Sequence, residues 1–550
     1  MIGYPILIYY KRYPSKYEIM SFVTPYGIYL DLGMDGKTWY FDLTDYAPVL
    51  KGMKRLTVEL GGQRQEDMDI RFLFIKGTPP HDIIDINQVW RPAGKYYTDI
   101  MSDRAFEPRE FYMNPNGESF KLKSVITGHG QQGEFSPRWH TINIDGGEVE
   151  FEWQVWTECS TIPIYPQGGT WIYDRAGWCP GDPSDVYEYD ITEYVSPGQT
   201  HTIDYGLNYG NGQSTYRVNK QLVTYGPANF NLDAAVINIT KPNGESAAYE
   251  RFNPACSYPV AIIQNTGSTT LTQLDIEYLV QGGEALNYSW TGSLEFMETE
   301  EIELIIPNYS FWAGSDSKFI VNISNPNGQD DEYPYNNSYS IDFVEVDLYN
   351  VSETLTIECL TNNRGYQTSY SLTDLEGNII LEMDDLENNT IYTNEVSLQL
   401  GCYKLRIDDS GDDGLYWWHN SSQGTGYFRL KNSSGAIVEN FEPEFGRFAI
   451  YEFGIIDLSG TSEIPDEANI ISVFPNPTSD VLNINLKGFK NSKLIAKVFN
   501  TAMLKVYENR FSVSDIDFTE RINMKNMLPG IYFLRLECNG RTTFSKIIKN

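Results

Sequence analysis

The sequence predicts an all-β protein, because short segments alternate between apolar and polar residues and turn-forming residues separate them. The pattern is clear in residues 56–60, 69–75, 147–153 and 319–323. The composition agrees, since 39 Tyr, 45 Gly and 27 Pro favour many strands and turns. No segment of convincing length repeats with the period of a helix. Antiparallel sandwiches are therefore the expected architecture.

The length and the turn-rich junctions predict several domains. The chain has 550 residues, enough for three to five domains of roughly 100–200 residues each. Pro and Gly clusters mark the ends of the first two segments, and an Asn-Thr-Gly turn at 265–267 is typical of an immunoglobulin-like sandwich. The predicted boundaries are 1–80, 81–229, 230–345, 346–456, a linker at 457–471, and 472–550.

The distribution of charge argues against nucleic acid as a partner and sets the C-terminal residues apart as a module. The net charge is −33, from 41 Lys and Arg against 74 Asp and Glu. Such a chain repels phosphate backbones, which argues against nucleic acid as a partner. Residues 473–550 carry 12 Lys and Arg against 6 Asp and Glu. Their charge of +6 leaves −39 on the residues before them, so the C-terminus is a separate module.

The sequence predicts no membrane-spanning segment and no leader peptide at its start. No stretch approaches the roughly 18–20 apolar residues that a spanning helix needs. Residues 1–10 lack a basic leader and a small-residue cleavage site, so we interpret them as a strand rather than as a signal peptide.

Six cysteines leave the disulfide pattern open. None forms a Cys-x-x-Cys pair, which excludes zinc-ribbon and thioredoxin-like sites. The candidate bridges are Cys159–Cys179 and Cys359–Cys402. The alternative is that most of the cysteines are buried free thiols.

An acidic loop, Asp408 to Asp413, is a candidate Ca²⁺ site, because clustered carboxylates suit a hard cation. Its spacing does not fit an EF-hand: counted from Asp409, the third position is Gly411 and the twelfth is Asn420. A solvated turn is the alternative interpretation.

Two polar, Gly-rich loops are candidates for chemistry. Residues 128–140 contain Glu134 and two histidines, and residues 174–181 contain an aspartate beside an arginine. Hydrolysis needs a base to activate water and an acid for the leaving group. Neither loop has metal-ligand spacing, so we predict no metal there and a structural, hydrogen-bonded His140.

The C-terminal module resembles the sorting domain of proteins exported by the type IX secretion system. The matching residues are Val-Phe-Pro-Asn-Pro-Thr-Ser-Asp at 473–480, Leu-Pro-Gly-Ile-Tyr-Phe-Leu-Arg at 528–535, and the basic tail 544–550. The resemblance implies a secreted or cell-surface protein that engages the type IX machinery through residues 472–550. It also implies an N-terminal signal peptide, so we expect further sequence upstream of Met1.

Residues 1–228 resemble the peptide-N-glycosidase F family of amidases. The strongest match is Asp-Arg-Ala-Gly-Trp-Cys-Pro-Gly at 174–181, with supporting matches at 22–26, 42–45, 77–79 and 138–142. The resemblance implies two adjacent jelly-roll sandwiches, the first truncated at its N-terminus, with a glycan cleft at their interface. It also implies a Cys159–Cys179 disulfide.

The resemblance assigns roles to individual residues. It implies catalytic glutamates at Glu59 and Glu134, substrate contact by Arg175, and a cleft lining that includes His129. Trp178 is expected to bind substrate, and the implied disulfide beside it is expected to shape the cleft floor. The principal catalytic aspartate of the family falls at or just upstream of Met1. For Glu59 the alternative is a solvent-facing position on the strand predicted at 56–60.

These residues predict a secreted amidase that hydrolyses the glycan–asparagine bond of N-glycoproteins without a metal or cofactor. The products would be aspartate and a glycosylamine. The alternative is a catalytically inactive cell-surface protein that binds glycans or serves in adhesion.

Overall fold

The structure is a computed structural model. It describes residues 16–27, 30, 32–33, 36–59, 68–208, 213–252, 256–307, 309–312, 317–457, 470–487, 492–500, 505–513, 517–538 and 541–550. Strands account for 48% of it and helices for 9%, so the all-β prediction is confirmed. The strand predicted at residues 1–10 lies outside the described residues, as does most of the linker predicted at 457–471. None of the helices described is long and apolar enough to cross a membrane.

The chain divides into two compact units, residues 1–31 with 39–229 and residues 32–38 with 230–550. The core of the first unit is a sandwich of two four-stranded antiparallel sheets. The sheets, in spatial order, are His81–Tyr96, Thr215–Ala228, Ser119–His129 and Val186–Asp190, and Arg109–Tyr112, Thr200–Leu207, Arg138–Ile144 and Val149–Val155.

Alternation explains why these strands form a sandwich. Ser119–His129 buries every second side chain along most of its length, and a single apolar core includes Trp90, Phe120, Ile126 and Ile142. Such a period-2 pattern gives each sheet one inward face. The strand predicted at 147–153 is confirmed as Val149–Val155.

The segment before the sandwich packs onto it. Its described residues contain the strand Phe22–Val23, which pairs with Asp182–Pro183, and the 3₁₀ helix Thr44–Tyr46. Tyr46 is buried in a small cluster with Val223 and Tyr225 of the sandwich. The division into a first jelly roll at 1–80 and a second at 81–229 stays a prediction.

Two strand predictions in this segment are wrong. Residues 69–75 and the described residues 56–59 are not strands. Leu73, Phe74 and Ile75 are 75%, 78% and 97% exposed. Alternation alone does not form a strand, because a strand also needs a neighbouring edge for its backbone hydrogen bonds and a core to cover one face.

In its described residues, the second unit contains three further pairs of sheets. Every strand pair among them is antiparallel except Asp347–Asn350 with Phe448–Ile456. The first pair is Ala234–Lys241, Val260–Asn265 and Thr299–Glu303, and Leu286–Leu294, Leu271–Val280, Lys318–Ser324 and Ser338–Asp342. The second pair is Asp347–Asn350, Phe448–Ile456, Gly401–Asp409, Thr368–Asp374 and Ile379–Met383, and Ile391–Ser397, Thr354–Leu360, Tyr427–Lys431 and Ile437–Asn440. The third pair is Ile470–Phe474, Val481–Lys487 and Asp517–Asn523, and Lys505–Val513, Ser492–Phe499, Gly530–Cys538 and Arg541–Lys549.

Helices are short throughout the described residues. The two α-helices are Tyr97–Ile100 and Gln131–Glu134. The remaining 3₁₀ helices are Cys159–Thr161, Thr192–Tyr194, Ala247–Phe252, Tyr309–Trp312, Pro326–Gly328, Pro334–Asn336, Gly365–Gln367 and Trp418–Gln423. The strand predicted at 319–323 is confirmed within Lys318–Ser324.

One of the two candidate disulfides is present in the structure, and the other is not. Cys159–Cys179 is confirmed, with a Cα–Cα distance of 5.4 Å. The Cys359–Cys402 pairing is wrong, because Cys402 is bonded to Cys256, also at a Cα–Cα distance of 5.4 Å. Cys359 is a buried free thiol on the strand Thr354–Leu360, which belongs to the sheet opposite that of Cys402.

Candidate active site

The two Gly-rich loops meet at the end of one sandwich strand. Ser119–His129 leads into the short helix Gln131–Glu134. The Gly128 N–H donates to the Ala176 carbonyl at 2.8 Å, and the Ala176 N–H donates to the Glu134 carbonyl at 3.0 Å. A Cβ at Gly128 would lie 2.0 Å from a carbonyl oxygen of the helix and 2.6 Å from the Ala176 Cβ. Glycine at this position therefore allows the loops to approach.

A buried arginine holds the candidate catalytic glutamate. The Arg175 Nε donates to Glu134 Oε1 at 3.1 Å. The other guanidinium nitrogens donate to the carbonyl and hydroxyl oxygens of Thr170 and to the carbonyls of Trp171 and Tyr173. Arg175 is 1% exposed and uses all five of its N–H donors within the protein. In this structure Arg175 positions Glu134, and its implied contact with substrate stays a prediction.

Three aromatic rings surround the guanidinium. The Arg175 Cζ lies 5.0 Å from the Trp178 ring, 5.1 Å from Phe135 and 5.7 Å from Tyr26, measured to ring centroids. Trp178 is itself fixed, because its Nε1 donates to the Gly128 carbonyl at 3.0 Å. Cation–π contacts of this kind are stronger where water is excluded. Sequence reasoning did not place Phe135 and Tyr26 in the site, although Tyr26 lies in the matched motif at 22–26.

The Glu134 side chain is mostly buried but still reaches solvent. Its side chain is 20% exposed. Burial raises the pKa of Glu134 above its ordinary value, while the hydrogen bond and positive charge of Arg175 act in the opposite direction. Burial is the larger effect, so this carboxyl binds a proton more readily than an exposed glutamate does. A partly accessible carboxyl of this kind suits general acid catalysis.

His129 joins the same group. Its Nε2 lies 2.9 Å from the Thr127 hydroxyl, and its ring stacks on Trp178 with centroids 6.0 Å apart. Burial and the charge of Arg217 lower the pKa of His129. A neutral imidazole therefore stands next to Trp178 at neutral pH.

Glu59 lies in a different environment from Glu134. Its side chain is 70% exposed and forms an ion pair with Lys16. The hydrogen bond and charge of Lys16 lower the pKa of Glu59, with a smaller contribution from Arg217. Arg217 also acts on His129, so its charge reaches both residues. The structure thus brings Glu134, Arg175, Trp178 and His129 together, whereas a groove shared by Glu59 and Glu134 stays a prediction.

Arg217 is a residue that sequence reasoning missed. It lies on the strand Thr215–Ala228, and its Nη1 donates to Glu18 Oε1 at 2.8 Å. The second guanidinium nitrogen donates to the other Glu18 oxygen, which makes a bidentate pair. No motif identifies this pair, since 199 positions separate the two residues.

Two aspartates follow the loop at 174–181. Burial, followed by the charge of Asp185, raises the pKa of Asp182 to about 7. Asp185 accepts hydrogen bonds from the Thr157 hydroxyl at 2.6 Å and the Tyr187 hydroxyl at 3.0 Å. Thr157 also exchanges backbone hydrogen bonds with Arg175. The spacing Asp-x-x-Asp directly after the matched motif was the available signal for this pair.

The Cys159–Cys179 disulfide supports the loop that carries Arg175 and Trp178. The Cys159 N–H donates to Asp174 Oδ1 at 3.1 Å, so both ends of the loop are held. Closing a loop of this length stabilises a fold by about 3 kcal/mol. Trp178 is 7% exposed. Its contact with substrate and the role of the disulfide in shaping a cleft floor stay predictions.

His140 has a structural environment. It is buried in the sandwich core, and its Nδ1 lies 2.7 Å from the Tyr205 hydroxyl. Burial and the charge of Lys220 hold the pKa of His140 well below its ordinary value. Within the residues that the structure describes, no group of three or more His, Cys, Asp or Glu side chains is arranged to hold a metal ion.

Two family models match the chain. Residues 96–226 match the family described as peptide-N-glycosidase F, C terminal. Residues 472–550 match the secretion system C-terminal sorting domain. The chain resembles peptide-N-glycosidase F and carries a type IX sorting domain.

The chain is also similar to individual proteins. Peptide-N(4)-(N-acetyl-beta-D-glucosaminyl)asparagine amidase F of Elizabethkingia miricola is 26% identical over 252 residues, covering 40% of this chain and 67% of the relative. The PNGase F structure from Flavobacterium meningosepticum, described as a glycosylasparaginase, is 25% identical, covering 28% of this chain and 55% of that one with a TM-score of 0.24. The structure of PNGF-II is 22% identical, covering 21% and 24% with a TM-score of 0.19.

The chain spans about half the length of the PNGase F structure that it matches. The homology supports a glycan-related amidase family. The sorting domain indicates a protein that is secreted or attached to the cell surface.

Proposed function

We propose that this protein is a secreted amidase that hydrolyses the bond between an N-linked glycan and asparagine. The observation that carries the proposal is the Glu134–Arg175 pair, with Nε and Oε1 3.1 Å apart. Its family context supports the substrate class, because the Elizabethkingia relative is named as an N-acetyl-glucosaminyl asparagine amidase. The partners are accordingly N-glycoproteins or their glycopeptides.

Glu134 is the proposed acid. In the reaction, water adds to the side-chain carbonyl carbon of asparagine, and the bond from that carbon to the glycan-bearing nitrogen breaks. The departing nitrogen needs a proton, and a carboxyl whose pKa is raised by burial can supply it. The protein residue becomes aspartate, and the glycan leaves as a glycosylamine.

Arg175 is the proposed positioning residue. It is 1% exposed and rigidly held, so it fixes one oxygen of Glu134 and leaves the carboxyl a single preferred orientation. A fixed arginine also stabilises the carboxylate that forms after the proton has been transferred. Such preorganisation reduces the rearrangement needed in the transition state.

A carboxylate is also needed to accept a proton from the attacking water. The resemblance implies that Glu59 is catalytic, and we assign this role to it; the ion pair with Lys16 keeps it charged. For Glu59 to serve as this base, the exposed Lys16 contact would have to open on substrate binding. Exposed ion pairs of this kind contribute little to stability, so the energetic barrier to opening is small.

The experiment is hydrolysis of a denatured N-glycoprotein in water enriched in heavy oxygen. The expected result is conversion of glycosylated asparagine to aspartate with one heavy oxygen incorporated, read by peptide mass spectrometry. Retention of the glycoprotein without conversion would instead support the non-catalytic glycan-binding function. A product that retains the sugar next to the protein would place cleavage at a glycosidic bond and overturn the amidase proposal.

A further inference from the structure

An acidic turn in the second unit contains two kinds of aspartate. The turn follows the strand Gly401–Asp409. Asp408 pairs with Arg406 at 2.6 Å, and Asp412 pairs with Arg447 at 2.7 Å. These two carboxylates are neutralised by arginine at the edge of the turn.

The other two aspartates face inward. Asp409 and Asp413 are 1% and 6% exposed. Asp409 Oδ1 accepts hydrogen bonds from the backbone N–H groups of Gly411 at 3.0 Å and of Asp413 at 3.2 Å. Two buried carboxylates therefore share one turn, and like charges placed in this way repel each other.

Asp413 has an oxygen without a donor. One carboxylate oxygen interacts with the Gln423 side chain, while Oδ1 is buried and has no hydrogen-bond partner among the described residues. A buried acceptor without a partner is costly and calls for an explanation.

A third acceptor reaches the same turn from another element. Gln367 ends the 3₁₀ helix Gly365–Gln367, and its Oε1 is also buried without a donor among the described residues. A Cβ at Gly411 would lie 2.4 Å from Gln367 Nε2 and 3.0 Å from Oε1, so the amide lies against the turn. The Ser410 N–H donates to the Gln367 backbone carbonyl at 2.8 Å, which fixes the helix to the turn.

We propose that this turn binds a divalent cation of the calcium class, with Asp409, Asp413 and the Gln367 amide oxygen as protein ligands. Oxygen-only ligands and a mixture of carboxylate and amide donors suit Ca²⁺. The site uses two carboxylates and an amide oxygen, so it differs from a cluster of three acidic side chains and from an EF-hand. With only two charged ligands, we expect a dissociation constant on the order of 10⁻⁴–10⁻³ M, the range of extracellular modules. This inference is independent of the proposed amidase activity.

The test uses the full chain and two probes, Ca²⁺ and Tb³⁺. Trp417 follows the turn and is buried, so it can sensitise the luminescence of Tb³⁺ bound there. We expect saturable Tb³⁺ luminescence that Ca²⁺ displaces. Asp413→Asn should weaken binding of both ions by roughly 10-fold or more, because it removes one of two charged ligands.

The matched control is Asp408→Asn, which removes one charge from the same turn but from the carboxylate paired with Arg406. It should bind both ions as the wild type does. Equal losses in Asp408→Asn and Asp413→Asn, or no displaceable luminescence at 10 mM Ca²⁺, about ten times the weakest expected dissociation constant, would overturn the proposal.

Folding of Asp413→Asn is checked in the presence of a chelator. Hydrogen exchange of Gly401–Asp409 should then be as slow as in the wild type or slower, because asparagine keeps the shape of the buried Asp413 side chain and removes its charge. With Ca²⁺ added, exchange should slow further in the wild type and not in the variant. If Ca²⁺ slowed hydrogen exchange equally in the wild type and in Asp413→Asn, that result would also contradict the assigned ligands.

Discussion

Glu134 Oε1 accepts a hydrogen bond from Arg175 Nε at 3.1 Å, and only the glutamate is open to solvent, with 20% of its side chain exposed against 1% for the arginine. The two residues belong to separate loops that approach each other through Gly128. The pair is therefore a product of the sandwich fold, and it separates a positioning role from a proton-transfer role.

Glu134→Gln should reduce the rate of glycan release by about 10²–10⁴-fold, the usual contribution of a general acid. The amide keeps the shape and accepts the Arg175 hydrogen bond but cannot supply the proton. The measurement is the rate of asparagine-to-aspartate conversion. Glu152→Gln, an exposed change on a neighbouring strand, should retain full activity. A Glu134→Gln rate equal to that of Glu152→Gln would exclude Glu134 from the mechanism.

Arg175→Lys should destabilise the first unit by about 2–4 kcal/mol, because an ammonium cannot satisfy the carbonyls of Thr170, Trp171 and Tyr173 together with Glu134. The measurement is hydrogen exchange of the strand Thr215–Ala228. Arg104→Lys is the control, since Arg104 is 66% exposed, and it should change stability by less than about 0.5 kcal/mol. Unchanged exchange in Arg175→Lys would show that the network is dispensable.

Asp182→Asn should stabilise the first unit at pH 8 by about 4 kcal/mol. The pKa of Asp182 is raised from 3.8 to about 7 in the folded chain, so folding favours its protonated form. Wild-type stability should therefore fall as the pH rises from about 4 to about 7, and the variant should lack this part of the fall. Below pH 4 the two proteins should converge.

The pH dependence is measured by urea unfolding between pH 4 and pH 8. Asp103→Asn, an exposed change in the same unit, should follow the wild-type curve. If Asp182→Asn follows it as well, the Asp182 carboxyl ionises in the folded chain as it does in the unfolded one.

Replacing both Cys256 and Cys402 by alanine should destabilise the second unit by about 4–5 kcal/mol. The bond closes a loop of 146 positions, and the loss of chain entropy grows slowly with loop length. The measurement is the urea midpoint of the second unit without reductant. The Cys159→Ala/Cys179→Ala variant is the comparison, because it removes a bridge of only 20 positions from the other unit. If both variants left the urea midpoint of the second unit unchanged, the Cys256–Cys402 disulfide would add no stability to that unit.

Alternation predicted strands where a sheet was present to receive them. Residues 149–153 and 319–323 form strands, whereas 69–75 has the same alternation without covered apolar side chains. Periodicity reports which face could be buried, but it does not report whether a neighbouring strand is available. The short helices needed no such partner, and their brevity was predictable from the lack of a helical period.

Only part of the candidate site could be predicted from the sequence. The proximity of Glu134 and Arg175 followed from resemblance alone, since 41 positions separate them. Tyr26, Phe135 and Arg217 reach the group through tertiary packing, which no local pattern encodes. Disulfide connectivity is also not encoded by a local pattern. Six cysteines allow about 15 complete pairings, and the sequence around Cys256 does not indicate its partner.

The Cys256–Cys402 bond also bears on the fate of the chain outside the cell. It joins two neighbouring sandwiches through a covalent link that is separate from the backbone. A single cut by an extracellular protease anywhere from residue 257 to residue 401 would leave one molecule, with both fragments still attached. Such a nicked protein would migrate as one species on a denaturing gel without thiol and as two after reduction.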